Sequence, residues 1–172
     1  VVQFAITAIL IVSTLVVMKQ MSFIRDKSLG FDTDAIAMVN VPADSLSLLK
    51  HNSFKEKLMA INGVKSVSFN AGAPSSGNNN ETNFNYNSSK SADFQVNVKT
   101  ADEDYFKTFG LTMIAGKALS KSDTTKEFVV NETLLKKLNV KNPEEAIGKI
   151  MKIWGTSAPI VGVVKDFNNY SL

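Results

Sequence analysis

Residues 1–18 (VVQFAITAILIVSTLVVM) carry no charged side chain. As a helix they would extend roughly 27 Å, close to the ~30 Å hydrocarbon thickness of a bilayer. In lipid a segment must satisfy its own backbone hydrogen bonds, so this run is expected to be a membrane-spanning helix. A buried core helix is usually shorter and charged on one face. A cleaved secretory signal has a basic segment, a shorter apolar core and a small-residue cleavage site. Here nothing basic precedes Val1, and Met18-Lys19-Gln20-Met21 is a poor site. Because the apolar run begins at residue 1, the natural start of the protein is expected to lie upstream.

Past Met18 the apolar spacing continues through Met21 and Phe23-Ile24. Lys19, Gln20, Arg25, Asp26 and Lys27 take the other face, so the helix is expected to run on as a stalk into water. Gly30, in Leu29-Gly30-Phe31, is the expected C′ stop. Lys19, Arg25 and Lys27 would favour the cytoplasm for the chain beyond the helix, but the positive-inside tendency compares both flanks, and orientation stays open on these residues alone.

About 150 residues remain, enough for one domain with a core or for two small lobes. Residues 35–41, closed by Pro42, read as a strand buried on both faces. Ser53-Phe54-Lys55-Glu56 fits a capping box for a helix that buries Phe54, Leu58 and Ile61 and ends at Asn62-Gly63. Residues 64–69 alternate as a strand, which completes a βαβ unit. Residues 73–80 are a loop and an expected lobe boundary. Residues 82–88 and 93–100 are expected to form a hairpin, 102–109 a short helix stopped by Gly110, and 111–114 a strand before a turn at Gly116. Strand 128–131 should run into a helix capped by Asn131 with Leu134, Leu135 and Leu138 inward. Asn142 as N-cap, Pro143, Glu144-Glu145 and Gly148 bound the next helix, and residues 149–154 and 158–165 are the last strands, joined through 155–157.

Few function classes survive the chemistry. The net charge of +3 is almost wholly Lys, scattered among acids, with Arg25 the single arginine. That is no basic stripe for nucleic acid. With no cysteine there is no disulfide framework, thiolate nucleophile or thiolate metal site. Gly110 and Gly116-Lys117 suggest a phosphate loop, but the spacing is one residue too long and Ala118 stands where the metal-binding Ser/Thr belongs. His51, the only histidine, has no His or Cys near it and reads as an ordinary exposed side chain. Asp102, Glu103, Asp104 and Glu144-Glu145 stand at helix starts, where the helix dipole favours acids without any catalytic role. Asn80, Asn87, Asn131 and Asn169 match the glycosylation pattern, which an Asn-rich chain produces by chance. Phe69, Phe84, Tyr86 and Phe94 fit a core better than a ligand groove, and Trp154 is a weak candidate for a partner-binding anchor. No catalytic, cofactor-binding or metal-ligating residue is assigned.

Three spaced motifs carry a family resemblance. Phe128-Val129-Val130-Asn131-Glu132-Thr133, followed by Glu145-Ala146-Ile147-Gly148-Lys149, resembles the V-N-E-T … E-A-I-G-K run of the MacB-like periplasmic core domain of FtsX/MacB-type ABC transporter permeases. Ile160 to Phe167 with Ser171-Leu172 resembles the later V-G-V-V-K-D-F … S-L run. The uncharged helix followed by Lys27-Ser28-Leu29-Gly30-Phe31-Asp32 is similar to the first membrane helix and L-G-F linker, in a version like those common in Bacteroidetes.

The resemblance implies an α+β fold: a transmembrane and stalk helix (1–29), the first part of a porter-like βαβ lobe (30–71), an inserted mainly-β lobe (72–156) and a truncated return to the first lobe (157–172). It implies a non-catalytic permease part in the inner membrane, with its soluble domain in the periplasm, that transmits ATP-driven motion for export or efflux. Implied partners are a cytoplasmic ABC ATPase, a second permease copy, a periplasmic or outer-membrane protein and membrane lipid, with no cofactor. Lacking a second βαβ and further spans, the chain is expected to be a fragment. The alternative from another class is a membrane-anchored extracytoplasmic sensor or ligand-binding domain with a pocket between two lobes.

Overall fold

The computed structural model describes residues 2–26, 28–42, 50–77, 79–88 and 90–169. The chain divides into two units, one holding the N-terminal helix to Leu29 and the other running on from Gly30. In order the elements are α1 (Val2–Asp26), α2 (His51–Met59), β1 (Asn80–Thr82), β2 (Phe84–Tyr86), β3 (Val96–Val98), α3 (Tyr105–Thr108), β4 (Met113–Gly116), β5 (Phe128–Asn131), α4 (Glu132–Lys137), a 3-10 turn (Pro143–Ala146), β6 (Ile150–Ile153) and β7 (Thr156–Val164).

In α1, Val2–Ile24 is long and apolar enough to cross a membrane, and none of it is buried within the protein. Three of its hydroxyls fit that surface: Thr7, Ser13 and Thr14 each donate to the carbonyl four residues back, at 2.9, 2.8 and 2.8 Å, and so are not left unpaired. The helix continues past Met18 as the stalk reading expects, but it closes at Asp26, and Ser28 and Leu29 are not helical. Gly30 is therefore not the C′ stop.

In the second unit β7 is the central strand. It pairs antiparallel with β6 and β4 and parallel with β5, and β2 adds on beyond β6, while β1 and β3 form a separate antiparallel pair. Side chains one residue apart on a strand face opposite ways. Accordingly Val163 and Val130 join Phe84, Leu134, Leu135, Met151 and Ile160 in one cluster, while Val164 and Val129 pack with Tyr105, Phe109 and Leu111 in another.

Several local expectations differ from the structure. Residues 35–41 form no strand, and Val39 is 73% exposed, because among the described residues no neighbouring strand covers the run. The bond from the Phe54 amide to the Lys50 carbonyl (2.9 Å) shows α2 already under way before Ser53, so the capping box is not used, and Lys50, which stands at the N-cap, makes no side-chain capping bond. The expected stripe is only partly covered: Leu58 is half-buried, but Phe54 is 39% and Ile61, just past α2, 55% exposed. Residues 64–69 form no strand; the β-type pairing near them is one bridge just beyond, Asn70 to Ala101, with two flanking backbone bonds, so no βαβ ladder forms there. The expected hairpin of 82–88 with 93–100 is divided between two sheets, β1 taking β3 and β2 taking β6. β6 and β7 are joined by Trp154-Gly155 alone, both at positive φ (+49° and +84°), a two-residue turn. β7 thus pairs directly with strands drawn from 113–153.

Candidate functional site

The motifs that are far apart in sequence meet in space. β5 and β7 run parallel with Asn131 opposite Val164, so the polar residues just past each strand emerge side by side. Asn131 leaves β5 extended and caps α4, its Oδ1 accepting the Leu134 amide at 3.2 Å. Its Nδ2 donates to Asp166 Oδ1 at 2.9 Å. The same oxygen accepts the Thr133 amide at 2.8 Å, and Asp166 Oδ2 accepts the Thr133 hydroxyl at 2.8 Å. In return the Asp166 amide donates to Glu132 Oε2 at 3.0 Å. Lys136 Nζ, 3.6 Å away and mostly in solvent, adds little, since exposed ion pairs contribute roughly 0–1 kcal/mol. A carboxylate that accepts three hydrogen bonds is held far more firmly.

The third motif packs against this knot. Gly30 lies at φ +81°, and a Cβ there would stand 2.9 Å from both the Asp166 carbonyl oxygen and the Phe167 Cα. Only glycine allows that approach in that conformation. The residues after it are pinned: Phe31 meets the Phe109 ring edge-on (centroids 6.4 Å apart), and the Asp32 amide donates to the Phe109 carbonyl at 2.8 Å. The L-G-F, V-N-E-T and K-D-F segments therefore form one junction. The sequence pattern marks Gly30 as a helix stop, Asn131 as a cap and all three segments as a family signature, but does not show that they meet. The available signal was that two predicted strands, 128–131 and 158–165, each run into polar groups, which parallel pairing brings together.

The other candidates have local structural roles. Asp102 stands ahead of α3 and gathers the Ser68 hydroxyl (2.7 Å), the Phe69 amide (3.0 Å) and Lys55 (2.9 Å). Burial pulls Lys55 down, but its hydrogen bonds to Asp104 and Asp102 and their charges outweigh this and hold it above its ordinary value. The stabilisation from that shift is fully present below pH 10.5 and is lost as pH rises through the folded value. His51 is half-buried, not exposed as expected, and stacks on Phe69 at 4.0 Å. Lys117 ties to Ser120 (2.9 Å) and Glu127 (3.4 Å) instead of facing a phosphate loop. Asn131, a glycosylation match, has its side chain committed to the cap and to Asp166. Phe84 is core, as expected, and Trp154 is 61% exposed at the hairpin tip. No cluster of metal-ligating side chains occurs among the described residues. A cavity of about 730 Å³ opens between β3, the 119–127 loop, β5 and α4, lined by Phe94, Asn97, Phe128 and Lys137 among others.

The chain is similar in structure to the periplasmic region of MacB from Actinobacillus actinomycetemcomitans, at 23% identity and a TM-score of 0.51, covering 70% of this chain and 53% of that one. It is also similar to the extracellular domain of the noncanonic ABC-type transporter YknZ from Gram-positive bacteria (18% identity, TM-score 0.48, 66% and 56% covered). The chain thus spans about half the length of these structures, with 53% and 56% of them covered. Among curated proteins none matches in sequence. The sequence model of the MacB-like periplasmic core domain matches residues 2–172, essentially the whole chain, including the apolar helix and all three converging motifs. With its α+β fold and its N-terminal apolar helix, the chain belongs to the MacB-like periplasmic core domain family.

Proposed function

We propose that this chain is the first membrane helix and extracytoplasmic domain of an ABC transporter permease subunit that transmits ATP-driven motion across the inner membrane for export or efflux. The observation that carries the reading is the placement of a span-length helix, α1, only a few residues before a segment fastened into the domain through the three-motif junction. A continuous helix is a stiff lever, and a lever acts only if its far end is held. In this reading the ATPase is a cytoplasmic partner, a second permease copy completes the membrane part, a periplasmic or outer-membrane protein receives the motion, and the chain itself performs no catalysis. In the same reading residues 30–71 are the first part of a porter-like lobe, 72–156 a lobe inserted into it and 157–172 the return to it.

Inserting flexible glycines between Lys19 and Lys27 is expected to leave ATP hydrolysis running while export falls, with the domain's circular dichroism unchanged. Export that survives the insertion would sink the lever. The cavity beside β5 supports a second reading, a membrane-anchored ligand-binding domain. Sequencing the gene downstream separates the two: further hydrophobic spans beside an ATPase gene favour the permease, and a kinase or methyl-accepting module favours the sensor.

A further inference from the structure

We propose that the Gly30–Asp166 junction is a rigid clamp, the fixed point at which displacement of the N-terminal helix is delivered to the domain, with Asp166 as the positioning residue that holds it closed. This rests on the transmission reading. A glycine near the end of a helix invites the opposite role, that of a hinge, and a hinge needs free rotation about its backbone bonds. At Gly30 the space for such rotation is filled, with the Asp166 carbonyl oxygen and the Phe167 Cα both 2.9 Å and the Phe167 Cβ 3.2 Å from where a Cβ would be. The next residues are tied too, through Phe31 on Phe109 and the Asp32 amide on the Phe109 carbonyl.

The opposing jaw is equally constrained. The Asp166 amide is bound by Glu132, and its carboxylate by Asn131 and by both the amide and the hydroxyl of Thr133. Two residues earlier the chain is β7, which pairs directly with β4, β5 and β6. Force arriving at Gly30 therefore passes through Asp166 into the strand that touches most of the sheet, and through Asn131 and Thr133 into β5 and α4.

The test uses the full-length permease with its ATPase in lipid nanodiscs. Hydrogen exchange of the 30–32 amides is followed together with the ATP-driven change in distance between spin labels at Lys141→Cys on the two permease copies. In Asp166→Ala, exchange at 30–32 is expected to rise roughly tenfold or more, the loss expected when charged hydrogen bonds of this kind are removed, while Ile160 and Val163 stay protected. The ATP-driven distance change should shrink by about half or more at an unchanged ATPase rate, an effect that simple structural loosening elsewhere would not reproduce. Thr133→Val, which removes the hydroxyl and keeps the shape, should move both readouts the same way by less, and Asp166→Asn should restore most of the wild-type behaviour. Unchanged exchange at 30–32 in Asp166→Ala overturns the clamp. An undiminished distance change in Asp166→Ala, together with its loss in the Lys19–Lys27 glycine insertion, also overturns the clamp and leaves transmission standing. An undiminished change in both variants overturns transmission, and the clamp with it.

Discussion

At the scale of single residues, side chains and backbone approach one another so closely in this unit that small substitutions have large effects. Gly162, in the middle of β7, faces the β4 end so tightly that a Cβ would run into the carbonyl oxygen of Lys117 and come within 2.5 Å of Met113 Cε. The backbone oxygen cannot move away without breaking the β4–β7 pairing, so Gly162→Ala is expected to destabilise the unit by about 1–3 kcal/mol, measured by urea unfolding. A urea midpoint equal to wild type would show that the strands can part at no cost. Asp166 illustrates what a linear reading misses: its partners lie 33 to 35 residues away, and nothing in Lys165-Asp166-Phe167 says that a cap on another strand needs a carboxylate.

Among the elements, those whose determinants are local match the sequence closely. β5 runs from Phe128 to Asn131 and α4 is capped by Asn131, because both signals sit within a few residues. Asn142 caps its turn as expected, accepting the Glu144 amide at 3.2 Å, although the turn is 3-10 and only four residues long. The β6–β7 hairpin departs from its expected three-residue link because Trp154 accepts a left-handed backbone that costs a bulky residue about 1–2 kcal/mol. Since Trp154 is 61% exposed, little packing offsets that cost. Trp154→Asn is expected to raise the unfolding free energy by about 1 kcal/mol, with Tm as the readout, because Asn tolerates this conformation at the first position of such a turn. A lower Tm would mean that the indole packs more usefully than its exposure indicates.

In the whole molecule, the exposed apolar side chains outside α1 concentrate between residues 38 and 61. Met38 and Val39 lie on the unpaired run, and Phe54, Met59 and Ile61 lie on or just after α2. Large apolar side chains left exposed on these two segments offer surface that another protein can cover. The unit from Gly30 onward, produced alone, is therefore expected to bind a hydrophobic dye and to associate with itself. Val39→Lys with Ile61→Lys should suppress both without lowering Tm, since neither side chain has packing to lose. Unaltered dye binding in that variant would place the sticky surface elsewhere.

What the sequence determined by itself rests on short-range physics. An uncharged run of bilayer length becomes a helix because its backbone has no other partner in lipid, and Asn131 and Asn142 cap because the amides they satisfy are two or three residues away. Tertiary structure decided the rest. Residues 35–41 and 64–69 have the pattern of strands, yet no ladder forms over them among the described residues, because a strand exists only with a neighbour and pattern cannot supply one. Gly30 reads locally as the end of a helix, and only the tertiary fold sets it against Asp166 and Phe167 at the end of β7, where parallel pairing with β5 ties Asp166 to Asn131 and Thr133.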